Sequence, residues 1–305
     1  MKESRSGMEL IMRAWIIYFR EGAKYNKQYI QMFQEEGRKL GVEVELILVE
    51  ELDFGVLNNQ LSILVNNKRK PLPDFVISRV IYPLLNKQLE LMGIEVFNNS
   101  FVSEICNDKA KTYQYLASTG IKMVDSCFYR SYQVGSQLKK IDSPRVIKSV
   151  DGHGGSQVFL VDSTENSNDE STDDRKRILK RLGGSDVVIQ PLTGSSHQDL
   201  RVYVIGKEIV GSVLRTAKEG FKSNFSLGGS VTLYTLMEQE KQLINLIIDR
   251  FDFGLVGIDF IIGDQGELIF NEIEDVVGSR MLYQCAPEIN IVERYLKFII
   301  NRIYG

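Results

Sequence analysis

Apolar residues fall into short runs separated by amphipathic stretches. Ala14-Trp15-Ile16-Ile17-Tyr18 is an unbroken apolar run and reads as a strand buried on both faces. Tyr25 to Leu40 carries Ile30, Phe33 and Leu40 at near-helical spacing. Gly41 ends that helix, and Val42 to Leu48 alternates like a strand. Asp74 to Ser78 predicts another strand, Leu84–Met92 a helix, and Ile94 to Phe97 a further strand. This β-α-β order predicts an open, mostly parallel sheet with crossover helices.

Beyond Asn107 the pattern changes. Lys109 to Ser118 reads as a helix. Arg145 to Val150 is a strand running into Asp151-Gly152-His153-Gly154-Gly155-Ser156, and Gln157 to Val161 leaves that loop as a second strand. Ser163 to Asp174 is polar and acidic and predicts a mobile surface loop, with a short helix over Arg175 to Leu182. Strands follow at Val187–Gln190, Leu200–Ile205 and Glu208–Leu214, and helices at Glu238 to Phe251 and Val292 to Ile303. The reading is α/β overall, with 1–12 as a tail, 13–105 as a first α/β domain, and lobes at 106–186 and 187–305.

The densest chemistry lies in Gly257-Ile258-Asp259-Phe260 and Phe270-Asn271-Glu272-Ile273-Glu274, joined across a turn at 263–266. As a hairpin, Ile258, Phe260 and Ile262 share a face with Ile269 and Ile273. Asp259, Glu272 and Glu274 share the other face if the loop is even-numbered. Three carboxylates on a half-buried face call for a compensating cation, and their hard oxygens suit magnesium. A solvated acidic hairpin is the plain alternative.

Lys148 ends an apolar strand just before the glycine loop. Gly154, Gly155 and Ser156 let backbone N–H groups approach phosphate, and the lysine adds charge. His153 reads as accessory to that loop. Gln190-Pro191-Leu192 follows an apolar run and has the character of a hinge. Arg215 through Lys222-Ser223-Asn224 concentrates cations and amide or hydroxyl groups between strands, as a ligand-facing loop would. Arg280, shortly after the acidic strand, is placed to clamp a substrate carboxylate or to pair with Asp275 or Glu274. Arg79, after a first-domain strand, is a second substrate candidate.

Composition narrows the classes. The chain has 305 residues, 43% of them hydrophobic, which fits a folded globular protein. No apolar run reaches membrane-spanning length, and the first residues lack a secretory core. Cys106, Cys127 and Cys285 are scattered and read as free thiols of a cytoplasmic protein. A net charge of −3 gives no support for nucleic-acid binding. Two histidines give a histidine-based metal site or triad little to draw on. A homo-oligomer is compatible with all of this.

Asn107-Asp108-Lys109, Lys148 before the glycine loop, Asp199-Leu200-Arg201, Arg215 through Asn224, and Asp259 with Glu272-Ile273-Glu274 together resemble the ATP-grasp ligases, especially the RimK-type amino-acid ligases. The resemblance spans roughly Ala14 to Tyr304. It implies an N-terminal parallel-sheet domain and two nucleotide-clasping lobes. It implies ATP and Mg2+, with Mn2+ as a substitute. Lys109 and Lys148 would contact phosphates, Gln190 to Leu192 border adenine, and Asp199 lie near ribose. Arg215 and Asn224 would face the transferring phosphate or acyl phosphate. Asp259, Glu272 and Glu274 match the metal ligands. Two positions depart from the pattern: Glu274 stands where the family usually has Asn, and Pro191 where an acid often follows the hinge glutamine. The implied reaction is ATP-dependent carboxylate–amine ligation through an acyl phosphate, on an amino acid or peptide. A small-molecule kinase and a non-catalytic nucleotide-binding regulator are the rivals.

Overall fold

The computed structural model describes residues 12–155, 157–162, 169–217 and 230–305, with the backbone alone described over 169–174. In chain order the elements are β1 (Met12–Tyr18), α1 (Arg20–Tyr25), α2 (Lys27–Lys39), β2 (Val42–Leu48), β3 (Leu52–Leu57), β4 (Gln60–Val65), β5 (Phe75–Ser78), α3 (Pro83–Leu91), β6 (Glu95–Phe97) and α4 (Ser100–Cys106). There follow α5 (Lys109–Leu116), β7 (Cys127–Tyr129), α6 (Ser131–Leu138), β8 (Arg145–Ser149), β9 (Val158–Val161), α7 (Asp169–Leu182) and β10 (Val187–Pro191). The last are β11 (Gln198–Ile205), β12 (Glu208–Thr216), β13 (Ser230–Leu233), α8 (Glu238–Ile248), β14 (Leu255–Ile262), β15 (Leu268–Glu274), α9 (Arg280–Cys285) and α10 (Ile291–Tyr304). Among the described residues no helix is long and apolar enough to cross a membrane.

The chain divides into two compact units. One holds Met1–Ser103, Phe253–Leu255 and Asn290–Gly305; the other holds Glu104–Asp252 and Val256–Ile289. In the first unit, four strands in the order β2-β1-β5-β6 form a parallel sheet. Ala14 to Tyr18 are all buried, as an apolar run in a sheet covered on both faces requires. Trp15, Ile17, Val76, Leu85 and Leu89 share one core beneath α3. A hairpin, β3–β4, is added to this core through Ile63 and Val65; no periodic signal marks it in the sequence. α10 packs on α2 in this unit, with Phe33 and Tyr295 in edge contact at 6.3 Å. This helix thus belongs to the first unit and not to the last lobe, where its place in the chain suggests it.

The second unit has two antiparallel layers. The sheet β7-β10-β8-β9 closes over Val134, Leu138, Ile147 and Val187. Because β10 is an inner strand of this sheet, a division at 186/187 cuts the sheet rather than a linker. α7 begins at Asp169, so the polar stretch read as a loop is helical from there onward. The other sheet, β13-β12-β11-β14-β15, carries the acidic hairpin at one edge.

Candidate active site

The hairpin reaches its register through an irregularity. Ile262 pairs with Leu268, leaving an odd loop of residues 263–267. Continued unbroken, that register would set Asp259 opposite Asn271 and turn Glu272 to the other face. The ladder shifts between Asp259 and Phe260, and beyond the shift Asp259 pairs with Glu272 and Gly257 with Glu274. The bulge at Asn271 thus aligns the three acids that an even loop was expected to align. The odd loop itself sets Ile269 on the acidic face, opposite Ile261. Phe270 takes the core position that Ile269 was expected to hold, packed edge-on to Phe260 at 6.2 Å.

Each carboxylate meets a cation. Asp259 is 1% exposed. Its Oδ1 accepts from Arg201 Nε at 2.8 Å, and its Oδ2 accepts from Arg201 Nη2 and from Arg215 Nη2, both at 2.7 Å. Burial pushes the Asp259 carboxyl up, but the two guanidinium groups outweigh it and hold the pKa at about 2. Arg201 Nη1 pairs with Glu274, and Arg215 Nε with Asp199, its cross-strand partner. Glu272 lies 3.2 Å from Lys109 Nζ. Burial raises the Glu274 carboxyl, with Asp259 and Glu272 adding to the rise against the pull of Arg201. Glu272 is instead lowered, since Lys109 and Lys148 overcome its burial. Gly257 leaves room for this network: a Cβ there would lie 3.4 Å from Arg201 Cδ and 2.7 Å from Val277 Cγ2.

A cavity opens beside this network within the second unit. Lys109, Lys148, Asn271, Glu272, the segment Gln190 to Gly194, His197 and Asp199 line it. Val124, Val146 and Ile261 give it apolar wall. Lys109 reaches it from the first residue of α5, whose N-cap, Asp108, accepts from the Lys111 N–H at 3.0 Å. Asn107 donates to Asp275 at 2.9 Å. The three residues of that motif therefore tie the segment down, cap the helix and supply the cation. Lys109 Nζ also donates to the Gly152 carbonyl in the glycine loop. Gly154 and Gly155 have φ of +63° and +72°, which glycine adopts without strain. Lys148 donates to Asn271 Oδ1 at 2.7 Å. Burial lowers its pKa to about 8, partly offset by Glu272, while Lys109 lowers it further.

The hinge is tied by its side chain. Gln190 is 2% exposed and donates to Ser126 Oγ at 2.9 Å. The Leu192 N–H donates to the Pro144 carbonyl, and Pro191 has none to give. The Pro191 carbonyl accepts from Thr193 Oγ1 at 3.2 Å.

Lys109, Lys148, Gly155, Gln190, Pro191, Leu192, Asp199 and Glu272 thus border one cavity. Ser156, Lys222, Ser223 and Asn224 lie outside the described residues. Arg215 is buried against Asp199 and Asp259, and His153 is exposed on its loop. Arg280 is exposed at the first position of α9. Arg79 lies inside the first unit, its guanidinium 5.4 Å from the centre of the Tyr29 ring; neither arginine lines the cavity.

The expected metal cage is not formed. Among the described residues no group of three or more carboxylate, histidine or cysteine side chains gathers closely enough to hold a metal ion. The oxygens are the right kind for a divalent cation, but their arrangement does not fit one, because arginine and lysine occupy them. Arg201 entered the sequence reading only as part of a motif. Its alternation with Asp199 on β11 was the signal that it shares the charged face. Asn271 and His197 offered no comparable signal; a bulge residue and a turn residue obey no periodicity.

A model of the RimK-like ATP-grasp domain matches residues 106–299. The chain is 28% identical over 266 residues to the uncharacterized protein MG011 of Mycoplasma genitalium, covering 87% of this chain and 83% of that protein. It is 28% identical over 268 residues to human N-acetylaspartylglutamate synthase A, covering 82% of this chain and 66% of the synthase. Among solved structures, a RimK domain ATP-grasp protein from Sphaerobacter thermophilus superposes with a TM-score of 0.69 at 16% identity, over 94% of this chain and 99% of that one, and shares its fold. The chain belongs to the RimK-like ATP-grasp family, the ATP-dependent ligases that join a carboxylate to an amine.

Proposed function

We propose that the cavity between Lys148 and the Gln190–Gly194 hinge binds ATP, and that the chain uses it to join a carboxylate to the amine of an amino acid. The observation that carries the reading is the pair of buried lysines, Lys109 and Lys148, lining the same cavity as the Gln190–Gly194 hinge and the apolar side chains Val124, Val146 and Ile261. A nucleoside triphosphate combines the two matching parts, a flat base and up to four negative charges. The Gln190 and Pro191 segment offers backbone carbonyls to an exocyclic amino group. Lys109 and Lys148 neutralise phosphate charge as it develops, from positions already desolvated. The glycine loop, held to Lys109 through Gly152, covers the phosphates.

The substrate carboxylate attacks the γ-phosphorus, ADP leaves, and the amine then attacks the acyl carbon to expel phosphate. Alignment of three reactants is the main demand on the protein. A divalent cation would supply further charge neutralisation, and Mg2+ is the first candidate, with Mn2+ in its place. No step is assigned to it, because the carboxylates here are held by Arg201, Arg215 and Lys109. Glutamate is the first amine to test, as the human relative's name joins glutamate to an N-acylated acidic amino acid.

ADP release, measured over a matrix of amino acids and small carboxylates with mass spectrometry of products, tests the reading. Release that requires both carboxylate and amine, with equimolar phosphate, is expected. Release with a single substrate that becomes phosphorylated would instead mark a kinase.

A further inference from the structure

The sheet β7-β10-β8-β9 has a second cavity on its other side. Along β8 and β10 successive side chains alternate between the two faces. Val146, Lys148 and Gln190 line the cavity already described, while their neighbours Arg145 and Ile189 line the second one. Pro191 borders both. The second cavity has a volume of about 220 Å³ and lies wholly within the second unit. That is below the roughly 300–1,000 Å³ of sites for drug-sized ligands, so it suits a smaller molecule.

Its lining is of mixed character. Ile141 and Ile189 give apolar wall, Lys140 and Arg145 bring two cations, and Asp125 and Asp142 bring two carboxylates. The four charges sum to zero, yet among the described residues none of them forms an ion pair. Their side-chain hydrogen bonding there is limited to Ser143 Oγ, which donates to Asp142 Oδ1 at 3.2 Å. The charges around Asp259 are instead paired with one another throughout. Charges of both signs beside apolar wall match a small ligand that carries both signs itself. A half-buried guanidinium such as that of Arg145 takes a carboxylate through its fork. The aspartates accept from an ammonium, and an apolar side chain removes the isoleucines from water.

We propose that this second cavity is a binding site for an α-amino acid zwitterion with an apolar side chain. Arg145 and Lys140 hold the carboxylate, Asp125 and Asp142 hold the ammonium, and Ile141 and Ile189 receive the side chain. Because Pro191 belongs to both cavities, occupancy on one side of the sheet acts on the hinge at the other. Such coupling is reciprocal: each ligand changes the affinity for the other by the same factor. The site itself rests on its own lining, and only the coupling rests on the ATP reading.

Calorimetry of the full chain with L-leucine, without nucleotide, tests the site. Saturable binding is expected, at least about tenfold tighter than that of leucinamide, which lacks the carboxylate, or of 4-methylpentanoate, which lacks the ammonium. Arg145→Gln should weaken leucine binding at least about tenfold, while Lys148→Met leaves it near wild type. That contrast separates this site from a substrate amino acid held beside the nucleotide. Lys140→Gln and Asp142→Asn, both at exposed positions, should each weaken leucine and carry the test if Arg145→Gln fails to fold by circular dichroism. Leucine should also change the affinity for a non-hydrolysable ATP analogue, and the analogue should change that for leucine by the same factor. No saturable leucine binding, or binding that the folded variants all retain, would overturn the site. Equal binding of leucine and its two single-charge analogues would overturn the zwitterion assignment. Leucine binding without effect on the analogue would overturn the coupling alone. Wild-type protein that binds leucine but no analogue would overturn the ATP reading and leave this site standing.

Discussion

The parallel sheet of the first unit and the β13-β12-β11-β14-β15 sheet of the second bury their strands to a similar depth with opposite chemistry. β1 fills its buried positions with Ala14, Trp15, Ile16, Ile17 and Tyr18. β11 and β14 bury Asp199, Arg201 and Asp259 among their apolar residues. The first sheet draws stability from area removed from water, which needs no particular geometry beyond packing. The second spends desolvation on charges and recovers it only while every partner is in place. The comparison teaches that the site's ions are part of its framework as well as its chemistry.

The largest effect should come from breaking that framework. Asp259→Ala leaves Arg201 and Arg215 buried with one partner fewer, and should cost about 3–5 kcal/mol of stability, as breaking a buried ion pair does. Ile16→Ala, a fully buried position in β1, should cost about 2–5 kcal/mol through lost burial and a residual cavity. Chemical denaturation of both variants checks the pair. If Asp259→Ala unfolds at the wild-type midpoint, the acidic hairpin contributes chemistry without stability.

Lys148 should separate the two roles. Its ammonium is buried at a cost that no framework contact fully returns, since Asn271 is a neutral acceptor. Lys148→Met should lower ADP release about 100-fold, the scale for losing one preorganised charge at a reacting phosphate. The melting temperature of the nucleotide-free protein should hold or rise. A marked fall in that temperature would put Lys148 with Asp259 as a framework ion.

How much of this was legible depended on the residue. The apolar run at Ala14 and the amphipathic stretch after Tyr25 announced a sheet and helix because packing imposes a period. Lys109, Lys148 and the hinge were legible as markers in a fixed order, and they do border one cavity. The pairing of the acids with Arg201 and Arg215 was not, because it needs the order β12-β11-β14-β15, which no local period encodes. The bulge at Asn271 was hidden for a related reason: loop parity alone gave the opposite register. The hairpin at Leu52–Val65 escaped because its outer positions, Val56 and Leu57, are apolar and exposed, which blurs the alternation.

Titration gives a smaller test of the same contrast. The pKa of Lys148 is lowered by burial from 10.5 to about 8. Between those values the unfolded chain binds more protons at this residue than the folded one. Its burial therefore penalises stability fully below about pH 8, and the penalty is relieved as pH rises toward 10.5. Nucleotide affinity should move the other way. Raising pH from 7 to 9 deprotonates Lys148 in the free protein and should weaken binding of the ATP analogue by up to about tenfold, since each unit above a pKa costs a tenfold loss of the charged form. Lys148→Met should show a flat profile over that range. A wild-type profile equally flat would mean that nucleotide binds without drawing on this charge.

The smallest effect concerns Arg280, on the exposed surface rather than in the buried core of either sheet. It is exposed at the first position of α9, a few residues past Glu274. Its proposed task is to orient a substrate carboxylate, leaving phosphate charge to Lys109 and Lys148. Exposure limits what it can contribute, because ion pairs at an exposed position are worth little net free energy. Arg280→Ala should raise KM for the carboxylate-bearing substrate by about 3- to 10-fold, as loss of binding shared by ground and transition states does. KM for ATP and the melting temperature should stay near wild type. Arg280→Lys should recover part of the loss, since charge remains but the fork is gone. A rise confined to the KM for ATP would transfer Arg280 to the nucleotide side of the site, and unchanged constants for an authenticated substrate would remove it from catalysis.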